Sequence, residues 1–166
     1  MQVNIALLTV TDTRTIETDK SGSILVKKIN EQKHKLVDRK LVKDEKELIK
    51  KILSEWIKKD NIDIIITTGG TGLTGRDITP EAIKDLADKE IPGFGELFRE
   101  LSYKIIGTSA MQSRACAVLA NGKYIFALPG SSGGVTDAWD EILKYQLDIN
   151  HKPCNFVELF PRLKEK

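Results

Sequence analysis

Ile62-Asp63-Ile64-Ile65-Ile66-Thr67, followed by Thr68-Gly69-Gly70-Thr71-Gly72-Leu73-Thr74-Gly75-Arg76-Asp77-Ile78-Thr79-Pro80-Glu81, is the stretch that decides the fold. Its first six residues are nearly all β-branched and apolar, which predicts a strand. Its last three predict a helix start, with Thr79 as cap, Pro80 at the first helical position and Glu81 in the first turn. A strand that runs through a glycine-rich loop into a helix belongs to an α/β protein with a largely parallel sheet.

The flanking chain repeats that alternation. Val3-Asn4-Ile5-Ala6-Leu7-Leu8-Thr9-Val10 predicts a second buried strand, followed by a polar loop over 11–22 and a helix over 23–32. Lys35 to Val42 reads as another strand. Leu48, Ile49, Ile52, Leu53, Trp56 and Ile57 recur at helical spacing over 44–59, with Asp44 placed to cap the helix. Beyond the loop, Ile91-Pro92-Gly93 breaks a helix, and a new one is predicted over 94–106. Two apolar runs, 115–120 and 123–128, flank Asn121-Gly122 and predict an antiparallel hairpin. Pro129-Gly130-Ser131-Ser132-Gly133-Gly134 makes a second glycine-rich turn before a last amphipathic helix over 135–148. No repeat, low-complexity tract or linker divides the 166 residues, so residues 1–166 are expected to form one domain.

Composition narrows the function classes without choosing one. Lys and Arg number 26 against 24 Asp and Glu, too balanced for a dedicated nucleic-acid binder. Apolar runs fall far short of the roughly 20 residues a membrane span needs, and no signal peptide is evident, so no membrane partner is expected. Cys116 and Cys154 lie far apart and suggest neither a disulfide framework nor a zinc site. A reducing cytoplasm is the expected compartment.

The chemistry concentrates in the loops at the carboxyl ends of the strands, where open α/β sheets bind ligands. Gly69, Gly70 and Gly72 allow backbone N–H groups to converge on a phosphate, while Thr68, Thr71 and Thr74 add hydroxyls and Arg76 a cation. The loop is not a Walker A motif, because Leu73-Thr74 stands where Lys-Ser/Thr is required. Gly70 to Gly75 fits G-x-G-x-x-G literally but lacks the strand and helix context of a dinucleotide site. Pro129-Gly130-Ser131 supplies either a second anion-binding turn or a simple cap. Asp12 is either a site carboxylate or a loop acid capping its own backbone.

Four segments together resemble the MoaB/MogA family of molybdenum-cofactor biosynthesis proteins. They are Leu8-Thr9-Val10-Thr11-Asp12-Thr13, the Thr68-to-Gly72 loop with Arg76-Asp77-Ile78-Thr79-Pro80-Glu81, Gly107-Thr108-Ser109-Ala110-Met111-Gln112-Ser113-Arg114-Ala115, and Leu128-Pro129-Gly130-Ser131. The resemblance implies a three-layer α/β/α sandwich, trimeric or hexameric assembly, and a pocket for molybdopterin, a pterin dithiolene with a terminal phosphate. In the family's active members, molybdopterin phosphate attacks the α-phosphate of Mg-ATP, and a metal-insertion partner enzyme uses the adenylyl product. On this resemblance Asp44 and Asp77 match the catalytic, Mg²⁺-associated aspartates. Thr11, Asp12, Thr68, Gly69, Gly70, Thr71, Gly72, Thr74, Arg76, Thr79, Pro80, Glu96, Ser109, Ser113, Arg114, Pro129, Gly130 and Ser131 match the substrate pocket. Two carboxylates suit Mg²⁺, which binds proteins through one or two and keeps several waters. The string Leu73-Thr74-Gly75-Arg76 departs from the adenylylating branch, which has a Pro and two basic residues there, and the final loop leans towards MoaB. A non-catalytic molybdopterin carrier is therefore the alternative expectation.

Overall fold

A strand with no polar face must be covered twice, and the sheet is built to do so. The computed structural model describes residues 1–165. In chain order the elements are β1 (Asn4–Val10), α1 (Lys20–Glu31), β2 (Lys35–Val42), α2 (Lys46–Trp56), β3 (Ile64–Thr68), α3 (Thr79–Lys84) and β4 (Lys89–Glu90). There follow α4 (Pro92–Ile106), β5 (Cys116–Ala120), β6 (Lys123–Leu128), α5 (Ser132–Ala138) and α6 (Lys144–Gln146). The strands form one sheet in the order β2-β1-β3-β6-β5-β4. The pairs from β2 to β6 are parallel, while β6-β5 and β5-β4 are antiparallel.

Alternate residues of each inner strand enter opposite layers. Ile5, Leu7, Ile64, Ile66, Tyr124, Phe126 and Leu128 pack with Leu25 and Ile29 of α1, Phe94 and Phe98 of α4, and Val135 of α5. Ala6, Leu8, Val10, Ile65, Ile125 and Ala127 pack on the other face with Ile49, Leu53 and Trp56 of α2 and Ala82 and Ile83 of α3. The result is the expected three-layer α/β/α sandwich. Because α1 covers one face and α2 the other, the chain turns in opposite senses on the two sides of β1. A crevice is left at the carboxyl ends of β1 and β3.

Several boundaries differ from the sequence reading. Helix α1 begins at Lys20, not Ser23, because buried Asp19 caps it by accepting from the Gly22 amide at 3.0 Å. Asp44 does not cap α2; Glu45 holds that position without a side-chain hydrogen bond. Pro92 opens α4 instead of merely ending its predecessor, since proline suits the first turn of a helix. The two-residue strand β4, too short for a periodic signal, pairs with β5. The last helix starts early, at Ser132, capped by Ser131, and widens to a π turn at Trp139–Leu143 before ending at Gln146.

Asp19 also joins strand and helix electrostatically. Its carboxylate accepts from Thr9 Oγ1 at 2.6 Å and from Arg39 Nη2 at 3.0 Å. Burial, the largest single influence, would raise its pKa, but the bonds from Thr9, Gly22 and Arg39 outweigh it and hold the group below its ordinary 3.8. A depressed carboxylate stabilises the fold above its unfolded value and loses that contribution as pH falls through the native one. Asp19→Asn is expected to cost about 1–3 kcal/mol at pH 7. Urea titrations should show the deficit relative to the parent protein shrinking as pH is lowered below 3.8.

Candidate functional site

The loop after β3 turns on two left-handed glycines, Gly69 with φ +98° and Gly70 with φ +68°. A Cβ on Gly69 would stand 2.2 Å from the Val10 carbonyl oxygen at the end of β1, a contact no side chain can make. From the other flank, the Gly69 amide donates to Leu128 O at 3.1 Å and Thr68 Oγ1 to Pro129 O at 2.8 Å. The ends of β1, β3 and β6 are thereby joined at one point. Thr79 is not the helix cap it was expected to be; Ile78 holds the cap position. Its buried hydroxyl instead donates to Gly69 O at 2.9 Å, and its amide to Gly70 O at 3.0 Å. Thr79 and its buried neighbour Pro80 thus brace the loop from behind.

Three aspartates come from three loops. Asp12 does not cap its own backbone; Thr11 does, with Oγ1 accepting from the amides of Thr13 and Arg14. Asp12 instead takes a bidentate pair from Arg76, Nε at 2.9 Å and Nη2 at 3.0 Å, and its Oδ1 accepts the Asp44 amide at 3.1 Å. The hydrogen bond from Arg76 is the main reason its pKa is lowered. Asp44, half-buried, is raised above the usual carboxylate range by burial first, then by the negative charges of Asp12 and Asp77, against the pull of Arg76. Its Oδ1 stands 3.1 Å from where a Cβ on Gly70 would lie. Asp77 is lowered, although burial acts the other way, because Thr74 donates both its amide (2.9 Å) and its hydroxyl (2.7 Å) to Oδ2.

Two concavities flank the ridge formed by Gly130 and Ser131. The larger, about 600 Å³, is lined by Gly70, Thr71, Gly72, Asp77, Ser113, Pro129, Gly130 and Ser131 of the predicted set. The smaller, about 270 Å³, takes Thr11, Thr68 and Gly69 together with Arg14, Lys20 and Ser21. Asp12, Asp44, Thr74 and Arg76 lie in the loops around them. Arg114 faces away from the larger cavity, binding Gly72 O, Asp77 O and the Glu81 carboxylate and so holding the loop in shape. Exposed Glu96 borders a separate depression with Arg99 and Cys116, and Ser109 is exposed on the short helix Gly107–Gln112. The sequence reading missed one whole wall: Phe98, Ser102, Ile105 and Ile106 of α4, Gln112, and Gly133, Gly134 and Asp137 of α5. Its signal was an α4 more apolar than one buried stripe requires, with Leu97, Tyr103, Ile105 and Ile106 all exposed.

The sequence profile of a family described as "Probable molybdopterin binding domain" matches residues 6–149. The chain belongs to this family of molybdenum-cofactor biosynthesis proteins, in its MoaB type. It is 46% identical over 161 residues to "Molybdenum cofactor biosynthesis protein B" of Escherichia coli strain K12, covering 97% of this chain and 93% of that one. A crystal structure of a protein of the same description superposes with a TM-score of 0.90 at 41% identity, covering 100% of this chain and 98% of the other. The tungsten cofactor synthesizing protein MoaB from Pyrococcus furiosus gives 0.79 at 36% identity, covering 88% and 92%. In this MoaB-type chain the Gly69 contact is the point of least tolerance. Gly69→Ala combines a positive φ with a backbone collision and is expected to cost about 2–3 kcal/mol, measurable by urea denaturation.

Proposed function

We propose that this protein binds molybdopterin in the larger cavity and adenylylates it with Mg-ATP, in the cytoplasm. The observation that carries the reading is the half-buried Asp44 carboxylate, flanked by Asp12 and Asp77 beside the glycine loop Gly69 to Gly72. Like charges gathered at a ligand site are costly unless a cation or a reacting anion completes them. A molybdopterin carrier has no use for that cost; a metal-assisted nucleotidyl transferase does.

The residues fit Mg²⁺ on chemical grounds. Asp44 is destabilised in its ionised form by its acidic neighbours, and Asp77 keeps Oδ1 outside the hydrogen bonds from Thr74. Among the described residues no group of three or more His, Cys, Asp or Glu is placed to hold a metal. A pair of carboxylates completed by water and substrate phosphates is the usual way proteins hold Mg²⁺. When bound with the nucleotide, Mg²⁺ supplies neutralisation of phosphate charge. No Lys or Arg lines the larger cavity among the described residues, so backbone N–H groups of the glycine loop carry the protein's share of anion binding. Asp44 and Asp77 would hold Mg²⁺ from two loops, through which the reacting phosphates are aligned, and the α4 wall limits water. An oxygen of the molybdopterin phosphate attacks the α-phosphorus of ATP. The bond from that phosphorus to the bridging oxygen breaks, and pyrophosphate leaves with the electron pair.

Incubation with molybdopterin and Mg-ATP should yield adenylyl-molybdopterin and pyrophosphate, and chelation of Mg²⁺ should stop it. Asp44→Asn and Asp77→Asn should each lower turnover by about 10²–10³-fold, with molybdopterin still bound. A raised native pKa means that ionised Asp44 costs stability above that value and nothing below 3.8. Asp44→Asn should therefore raise the Tm at pH 7, with the gain fading as pH approaches 3.8, so that lost turnover is not lost folding. Tight binding without product in the parent protein would establish the carrier alternative.

The trimeric or hexameric assembly implied by the resemblance is proposed to use the apolar face at α4 and the following turn, where Leu97, Tyr103 and Met111 are 50%, 61% and 80% exposed. Light scattering on Tyr103→Glu/Met111→Glu should then show a smaller particle than the parent. The product would pass to a metal-insertion enzyme.

A further inference from the structure

Asp137 lines the larger cavity from α5, yet it belongs to none of the phosphate-facing loops. It is half-buried, and among the described residues its side chain has neither a hydrogen bond nor an ion pair. Asp140, three positions on, differs: it is held by Lys28 Nζ at 2.7 and 2.8 Å, whereas Asp137 has no such partner among the described residues. Residues three and four positions apart share a helix face. On Asp137's face those positions are Gly134 and Gly133, and a Cβ on Gly133 would meet only open space. Gly133 therefore leaves room for a flat group on the face that carries the carboxylate, while Gly134 is covered by Pro129 and Ser131. Across the cavity, Phe98, Ile105 and Ile106 form an apolar wall suited to the face of an aromatic ring.

A carboxylate has two acceptor oxygens and no donor. Its best complement is a pair of adjacent N–H donors in one plane, which it binds as a two-bond fork. The pyrimidine half of a pterin, with N3–H beside the exocyclic 2-amino group, presents that pair. We propose that Asp137 reads the 2-amino-4-oxo edge of the pterin ring, setting the ring's orientation while the Gly70–Gly72 loop takes the phosphate end. This assignment rests on the molybdopterin reading and makes Asp137 the residue that selects the ring.

The test uses two fluorescent probes with the same phosphate-ended side chain, a pterin and the matching 2,4-dioxopteridine, which has a carbonyl where the pterin has its amino group. The intact protein should bind the pterin at least about tenfold more tightly. Asp137→Asn, checked for an unchanged circular dichroism spectrum, should lose about 10–100-fold in pterin affinity while keeping or improving affinity for the dioxo probe, since an amide offers one acceptor and one donor. Asp137→Ser, which removes the fork without adding an amide donor, should weaken pterin binding and abolish the discrimination. Equal binding of both probes by the parent, or unchanged pterin affinity in the folded variants, overturns the assignment and leaves the molybdopterin pocket standing. Failure of the parent to bind either probe, or molybdopterin itself, overturns the pocket reading and this assignment with it.

Discussion

One backbone contact organises the carboxyl edge of this sheet: the Cα of Gly69 lies so close to the Val10 carbonyl that no side chain fits between them. Everything at the site inherits its position from that approach. It draws the end of β1, and with it Asp12, against the end of β3. Thr68 and Gly69 tie the same point to β6 through Leu128 and Pro129. Thr79 then fixes the loop's return by bonding both Gly69 O and Gly70 O. Each of these bonds involves a main-chain group, so the geometry depends on a few small residues and tolerates little change among them.

On that frame the charged groups fall into two kinds. Arg76 and Arg114 are committed within the protein, one to Asp12 and the other to Glu81 and two loop carbonyls. They fix the two ends of the glycine loop. The acids, by contrast, are left partly uncompensated, most clearly Asp44 and, on the opposite wall, Asp137, whose pKa is raised by burial and then by Glu141 and Asp140. In the larger cavity no Lys or Arg is among the described lining residues, whereas Arg14 and Lys20 line the smaller one. Acids left without a partner at a cavity favour contents that bring donors or a cation with them.

The layers of the fold were legible because double burial leaves a direct trace: runs such as Ile64-Ile65-Ile66 have no polar face to show. The glycine loop was legible for a related reason, since only glycine satisfies Gly69. What the sequence hides is the partner of each polar side chain. Asp44 in front of a helical stripe looks like a cap, but the bond from its amide to Asp12 places the helix start one residue later and leaves the carboxylate outside it. Asp19 does cap a helix, but the apolar stripe begins only at Ile24, so the first turn gave no periodic signal. Arg114 reads as a charge for the pocket in the sequence, but its guanidinium is spent on three internal acceptors. Asp137 sits among polar residues of an amphipathic helix, where a solvated carboxylate and one facing a cavity read alike.

The sheet's borders bear on how copies of the chain can meet. Strand β4 has only two residues, Lys89 and Glu90, both exposed, and Glu90 is paired with Lys84 at 3.1 Å. At the far border β2 carries Lys35, Asp38, Arg39 and Lys40. Short or charged edge strands discourage the addition of further strands. Neither border invites runaway strand-to-strand growth. Copies of this protein are therefore not expected to join by adding strand to strand at either border.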